Sequence, residues 1–330
     1  MTDKQHPSRF ATDAVHSGTQ HIGDAVNTPI FQSSTYKLTD ERYAGWAAGA
    51  QHTLLYARLS TVNSDAVAQK LMALEGGEDA ETFSSGMGAI SATLMALLNQ
   101  GDHMVASADI YGGTYGLLTE EFPRFGISTT MADMRDPASY EAAIQDNTKL
   151  LYIETLTNPV LKVCDIEAMA DIAKRHNLLL LIDNTFASPW GCKPLDMGVD
   201  LVLHSTTKYL GGHSDILGGA VVGSKDLIAQ IFMRKVHFGA APDPHSCYLL
   251  ERGMRTLDVR MPRICNNAYN LAVRLENHPA IERVYHSKLA SHPDFEIAER
   301  ILPNGSGMIA FVVKGGDDAC LLYTSDAADD

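Results

Sequence analysis

The stretch DLVLHSTTKYLGGHSDILGG, residues 200–219, decides how the rest of the chain is read. Leu201–Leu203 is a short apolar run that stops abruptly at His204, Ser205, Thr206, Thr207 and Lys208, and a glycine-rich loop follows. A lysine on a helix face is simply solvated. A lysine just past a buried strand, among hydroxyls and glycines, is placed for chemistry, because a lysine amine becomes a Schiff-base nucleophile when its surroundings lower its proton affinity.

The same pattern, an apolar run ending in polar residues, recurs upstream. Ala80–Ser84 leads into Ser85-Gly86-Met87-Gly88, His103–Ala106 is a further strand, Leu150–Ile153 ends in Glu154-Thr155, and Leu178–Ile182 ends in Asp183-Asn184-Thr185. Between these runs, residues 62–74, 89–98 and 166–176 show helical spacing of apolar positions. Alternating strands and helices imply an α/β domain with a mostly parallel sheet, and fully aliphatic strands suit a sheet covered on both faces. In such sheets ligands bind outside the carboxyl ends of the strands. Four polar clusters therefore converge on one edge: 84–88, 154–158, 183–185 and 205–208.

The flanks read differently. Residues 1–60 are rich in Gly, Pro, Ser and Thr with poor periodicity, which predicts an extended arm with short turns. Residues 246–274 read as long helical material broken near Pro262, and Met308–Val313 as a strand of a smaller C-terminal domain. The final residues, 320–330, read as non-native sequence appended to a domain that ends incomplete.

Composition excludes some classes. The 330 residues carry a net charge of −14, which argues against nucleic acid or an anionic membrane surface as partner. The N-terminus lacks the apolar core of a secretory signal, and the longest aliphatic run is too short to span a bilayer. Five scattered cysteines without a CxxC pair suit reduced thiols in a cytoplasmic protein. None of the thirteen histidines sits in an HExxH or a Cys/His cluster, so no metal site is expected.

The candidate site residues each carry a chemical reason. Asp183, at a strand end, suits a carboxylate that holds a protonated pyridine nitrogen and so keeps a pyridoxal ring acting as an electron sink. Ser85-Gly86-Met87-Gly88 between strand and helix suits a phosphate at a helix N-terminus, with Ser205 and Thr207 as added donors. Tyr111, in ADIYGGT, is placed to stack on a flat ring. Alone, each reading competes with a bland one: an ion-paired lysine, an aspartate capping a turn, a core tyrosine. A dinucleotide fingerprint over 86–91 is the competing reading of the glycines, but Ser91 stands where Gly or Ala belongs and Lys208 is left unexplained.

Taken together the motifs resemble the trans-sulfuration family, the pyridoxal-phosphate enzymes of cysteine and methionine metabolism. The element that carries most is HSTTKY (204–209) followed by Gly212-His213. TPIFQSSTY (28–36), YAR (56–58), LEGGEDA (74–80), SSGMGAI (84–90), IYGGT (110–114), ETLTNP (154–159), CDIEAMADIA (164–173), IDNTF (182–186) and ERGMRTL (251–257) support it, from about residue 10 to residue 314.

The resemblance implies an aspartate-aminotransferase-like fold of type I. It divides the chain into an N-terminal arm (1–60), a large cofactor-binding domain (61–240) and a smaller, incomplete C-terminal α/β domain (241–330). It implies pyridoxal 5'-phosphate held as a Schiff base on Lys208, with Asp183 on the ring nitrogen, Tyr111 over the ring and in leaving-group chemistry, and Asn158 near the ring hydroxyl. Gly86, Met87, Ser205 and Thr207 would cradle the phosphate, while Tyr56 and Arg58 would reach a neighbouring subunit's phosphate in a homodimer or homotetramer. The arginine for the substrate carboxylate is expected beyond the end of this chain.

The implied reaction is elimination or replacement at the γ or β carbon of a sulfur amino acid. Family members that handle cystathionine often carry an acidic residue before the tyrosine of YxR, whereas here it is Leu55. An apolar residue suits a substrate without a second charge and favours a methionine γ-lyase-like reaction. Gly113, where methionine-cleaving members commonly carry cysteine, points instead to the cystathionine enzymes and sulfhydrylases. Cystathionine γ-synthase, cystathionine γ-lyase and homoserine sulfhydrylase remain alternatives, and a nicotinamide-dependent oxidoreductase is the alternative of a different class.

Overall fold

The aliphatic runs become the centre of a seven-stranded sheet in the computed structural model, which describes residues 7–316. The strands are β1 (Asp79–Phe83), β2 (His103–Ser107), β3 (Ser128–Ala132), β4 (Thr148–Glu154), β5 (Leu179–Asp183), β6 (Leu201–Ser205) and β7 (Gly219–Gly223). Their order is β1-β7-β6-β5-β4-β2-β3. Only β7 runs against its neighbours, β1 and β6. The carboxyl ends of the other strands therefore share one edge, as the polar clusters require.

Side-chain alternation explains why both faces are covered. Leu181, Leu150, Tyr152, Leu201 and Leu203 point to one face, whose core is completed by α4 (Gly86–Leu97) and α9 (Lys225–Phe238). Leu180, Ile182, Leu151, Ile153 and Val202 point to the other, against α7 (Ile166–Arg175). Each fully buried leucine or isoleucine contributes about 2 kcal/mol from area alone. No polar alternation survives on strands buried on both sides.

The remaining helices are α1 (Pro7–His16), α2 (Asp40–Ala47), α3 (Val62–Glu75), α5 (Gly112–Gly116), α6 (Pro137–Ala142), α8 (Ser188–Gly191), α10 (Pro244–Met254), α11 (Leu257–Glu276) and α12 (Phe295–Ile301). Thr61 caps α3 reciprocally with Ser64, and Gly76 ends it at φ 82°. Asp165 caps α7, whose last turn carries Lys174 and Arg175 against the helix dipole. A separate antiparallel pair, β8 (Ile281–Tyr285) with β9 (Ala310–Val313), stands beside α11 with its own small apolar cluster of Ala272, Val284 and Leu289.

Two sequence expectations are corrected. The first sixty residues are not only arm and turns, because they contain α1 and α2. Within α1 the apolar residues are Phe10, Ala11, Ala14 and Val15, too few and too small to stand out as periodicity, yet Phe10 and Ala14 pack on the core beside α3. The helical material after residue 240 is not broken at Pro262, which sits inside α11 on its exposed side. The break falls at Arg255-Thr256. There Thr256 Oγ1 (3.1 Å) and the Arg260 guanidinium (2.9 Å) donate to the Gly253 carbonyl, beside the Thr256 N–H at 3.3 Å. The edge strand β3 and strand β8 also escape a reading by hydrophobic pattern, since neither STTMA nor IERVY carries an aliphatic run. The expectation for residues 320–330 lies outside the described residues. Among the described residues no helix is long and apolar enough to cross a membrane.

Candidate active site

A cavity of about 1120 Å³ opens at the carboxyl edge of the sheet. Eight of the sequence-predicted residues line it: Gly86, Met87, Tyr111, Asn158, Asp183, Ser205, Thr207 and Lys208. They come from β1–α4, β2–α5, the β4 end, the β5 end and the β6 end, so only the parallel topology brings them together.

Ser85 caps α4, its hydroxyl accepting the Gly88 N–H at 3.0 Å. The N–H groups of Gly86 and Met87 have no acceptor within the helix and are left at its positive end. Gly86 is required there by close approach: a Cβ on it would lie 2.9 Å from Ser205 Cβ and 3.0 Å from Ser205 Oγ. The helix N-terminus is therefore seated directly on the turn that carries Ser205 and Thr207. Thr185 Oγ1 holds the Ser205 N–H at 2.8 Å, and Thr207 Oγ1 accepts the Gly218 N–H at 3.2 Å. These contacts tie the turn before Lys208 to β5 and β7. Lys208 is exposed within the cavity and is the only lysine among its lining residues.

Two carboxylates stand on the cavity floor. Glu154 and Asp183 are register partners on β4 and β5. Burial pushes Glu154 up to about 8 from an ordinary value near 4.5, and the Asp183 charge adds to the rise. Burial likewise raises Asp183, opposed by the Thr185 hydrogen bonds and the His204 charge. Two desolvated carboxylates side by side favour a cation between or above them. A protonated pyridine nitrogen meets that demand, and the free helix N-terminus meets the demand of a phosphate. The residues present fit pyridoxal phosphate at both ends.

Behind the floor, His204 Nε2 lies 2.6 Å from Glu75 Oε1, with both side chains fully buried. Asn184 bridges this pair to Thr155, donating to Glu75 (3.2 Å) and accepting from Thr155 Oγ1 (2.7 Å). The strand ends on either side of Asp183 are thereby locked.

Tyr56 and Arg58 are not brought to the cavity. They sit together on the surface, the guanidinium 5.3 Å from the ring centroid, on a strand-like segment in which Thr35 bridges Tyr56. Sequence reasoning assigns no role to Glu154, Thr185, Tyr209 or Arg260, all of which line the cavity. Glu154 carries a findable signal, because it ends an apolar strand as Asp183 does. Arg260 carries none, since only tertiary packing lays its guanidinium against Gly212.

An open, mostly parallel α/β sheet with a lysine, a carboxylate pair and a helix N-terminus converging at its carboxyl edge is the framework of a cofactor enzyme. The family model for Cys/Met metabolism PLP-dependent enzymes matches residues 11–325, and the chain belongs to that family. It is 43% identical over 317 residues to an L-methionine gamma-lyase of Porphyromonas gingivalis, covering 94% of this chain and 79% of the relative. It is 41% identical to a probable cystathionine gamma-synthase of Herpetosiphon aurantiacus, covering 96% of this chain and 98% of that protein. The crystal structure of cystathionine gamma-lyase from Lactobacillus plantarum complexed with L-serine superposes with a TM-score of 0.86 at 39% identity, over 93% of this chain and 79% of that one. The protein is thus a pyridoxal-phosphate enzyme of sulfur amino acid metabolism with the type I fold, as its motifs implied.

Proposed function

We propose that the protein is a carbon–sulfur lyase that cleaves methionine, with one water, to 2-oxobutanoate, methanethiol and ammonia. The observation that carries the reading is the convergence of Lys208, Asp183, Tyr111 and the α4 N-terminus on one cavity. Methionine as substrate is supported by the apolar wall of that cavity, with Leu156, Phe186, Ile216, Leu217, Ile264 and Met308, and by the similarity to an L-methionine gamma-lyase.

Bound pyridoxal phosphate supplies an electron sink for negative charge at Cα. Lys208 holds the cofactor and moves the proton between Cα and the side-chain carbons through its Nζ. Asp183 keeps the ring nitrogen protonated. Tyr111 would cover the ring, and its hydroxyl would give a proton to the departing sulfur. Gly86, Met87, Ser205 and Thr207 would hold the phosphate, and Asn158 would meet the ring hydroxyl. We assign Tyr56 and Arg58 to the phosphate of a second copy, supported by their exposure away from this chain's own cavity. Light scattering that gives a monomer for the loaded, active protein would remove that assignment.

The division into an arm (1–60), a large domain (61–240) and a C-terminal domain (from 241) belongs to the same proposal, supported by the separate β8–β9 pair and its cluster.

The test is turnover by the purified, cofactor-loaded protein, with keto acid measured from methionine and from cystathionine in parallel. Keto acid from methionine at the higher kcat/KM supports the reading. Preference for cystathionine, or replacement of an acyl-homoserine by cysteine without elimination, would transfer it to the cystathionine enzymes. Leu55 lies outside this chain's own cavity beside Tyr56, so it would act at the second copy's site: Leu55→Glu is expected to shift the methionine-to-cystathionine ratio of kcat/KM by up to about fivefold toward cystathionine, whose distal ammonium it would pair. An unchanged ratio would refute the role given to Leu55.

A further inference from the structure

We propose that Glu154 is a positioning residue that fixes both the ring-covering tyrosine and the Asn158 turn from a single buried carboxylate. Resting on the reading of the cavity as the cofactor site, this assigns a role to a residue that touches neither ring nor phosphate in that reading. Glu154 Oε1 accepts the backbone N–H of Tyr111 at 2.8 Å, and Oε2 accepts the backbone N–H of Asn158 at 3.3 Å. The residue is 4% exposed at the end of β4, so a donor that loses its bond to it has little access to water.

The geometry explains why one carboxylate is needed here. Tyr111 opens α5 as its N-cap residue, but its own side chain makes no cap bond. Its backbone is held by Glu154. Its ring lies over Gly113, where an added Cβ would come 2.6 Å from Tyr111 Cε1 and 3.1 Å from Met87 Sδ. The tyrosine is therefore gripped at two points, backbone by Glu154 and ring by the bare Gly113. On the opposite side, Asn158 heads the turn whose Leu161 N–H bonds back to Thr157. Here the two oxygens of one carboxyl each take one N–H donor, from separate loops. A glutamine offers one oxygen and presents an N–H₂ group to the other donor.

The charged surroundings of Glu154 are Asp183 on β5 and Asp109 ahead of Tyr111, with Lys208 across the same cavity. Both neighbouring carboxylates disfavour its ionised form, and both backbone donors favour it. Loss of an acceptor and change of reach are separable by substitution: Glu154→Gln removes the ionisable group and one acceptor oxygen, whereas Glu154→Asp keeps the carboxyl on a shorter arm.

The experiment titrates cofactor-free protein with pyridoxal phosphate and follows the visible band and its induced circular dichroism. Glu154→Gln is expected to bind at least tenfold more weakly, with lower induced circular dichroism per bound cofactor, while its cofactor-free form still unfolds in one cooperative transition at a somewhat lower temperature. Glu154→Asp is expected to recover part of both signals and to shift the pH at which the visible band changes. Wild-type affinity and induced circular dichroism in Glu154→Gln overturn the proposal. Should Glu154→Gln not fold, wild-type values in Glu154→Asp overturn it equally. A wild-type protein without a visible band, or a band that persists in Lys208→Ala, would instead refute the cofactor-site reading itself.

Discussion

Lys208→Ala is expected to abolish the visible band of the cofactor-loaded protein and to reduce turnover by on the order of 10³-fold or more, since it removes a covalent anchor and a proton carrier together. Among the described residues Lys208 is the only lysine lining the cavity, so among those side chains no second amine can take over. Its side chain is exposed in the cavity, and the turn around it is held by backbone bonds: Lys208 N–H to Ser205 O at 3.2 Å and Gly212 N–H to Lys208 O at 2.8 Å. Truncating it should therefore leave the thermal stability of cofactor-free protein within about 0.5 kcal/mol of wild type, as for other exposed positions. Loss of the band with unchanged unfolding separates chemistry from misfolding. A retained band with retained turnover would place the nucleophile elsewhere.

Asp183→Asn has the second largest expected effect. An asparagine keeps the shape but offers no charge to a protonated ring nitrogen, so cofactor affinity should fall roughly 10- to 100-fold, the range for a hydrogen bond to a charged group. The same change acts oppositely on the empty protein. Burial raises Asp183, and with it Glu154 to about 8, so the folded state holds protons that the unfolded chain has released. A carboxyl with raised folded-state proton affinity stabilises fully below its unfolded value and loses that contribution as pH rises through the folded value. Cofactor-free wild type should accordingly lose stability between about pH 4.5 and 8. Asp183→Asn removes one of the two charges and should flatten that fall. Calorimetric melting temperatures of both proteins across this range give the comparison. Parallel pH profiles would show that the pair is not the source.

Lys208 and Asp183 are legible in the order of residues alone, and the reason is local. A strand buried on both faces must be apolar along its length, so a polar residue after LLLLI or LVL marks the carboxyl edge of the sheet. Lys208, Asp183, Ser205 and Thr207 all lie within five residues of such a run. Ser85-Gly86 is legible for a related reason, because a hydroxyl and a small residue between strand and helix mark a helix start. The arm helices and the continuation of α11 through Pro262 are not legible in this way. Their stability comes from what they pack against rather than from their own periodicity.

By itself the sequence determined the alternation of strands and helices, the edge at which chemistry occurs, and the residue types available there, since each depends on neighbours in the chain. Only the tertiary structure decided which of those residues meet. Strand register set Glu154 beside Asp183. Close approach at Gly86 seated a helix N-terminus on Ser205. Two backbone N–H groups from different loops turned to one carboxylate. Tyr56 and Arg58, adjacent in motif to the rest, were left outside the cavity. The physical reason is that burial and pairing are properties of space. A buried carboxylate changes its proton affinity according to what lies across the sheet, and nothing in the order of residues along the chain states what that neighbour is.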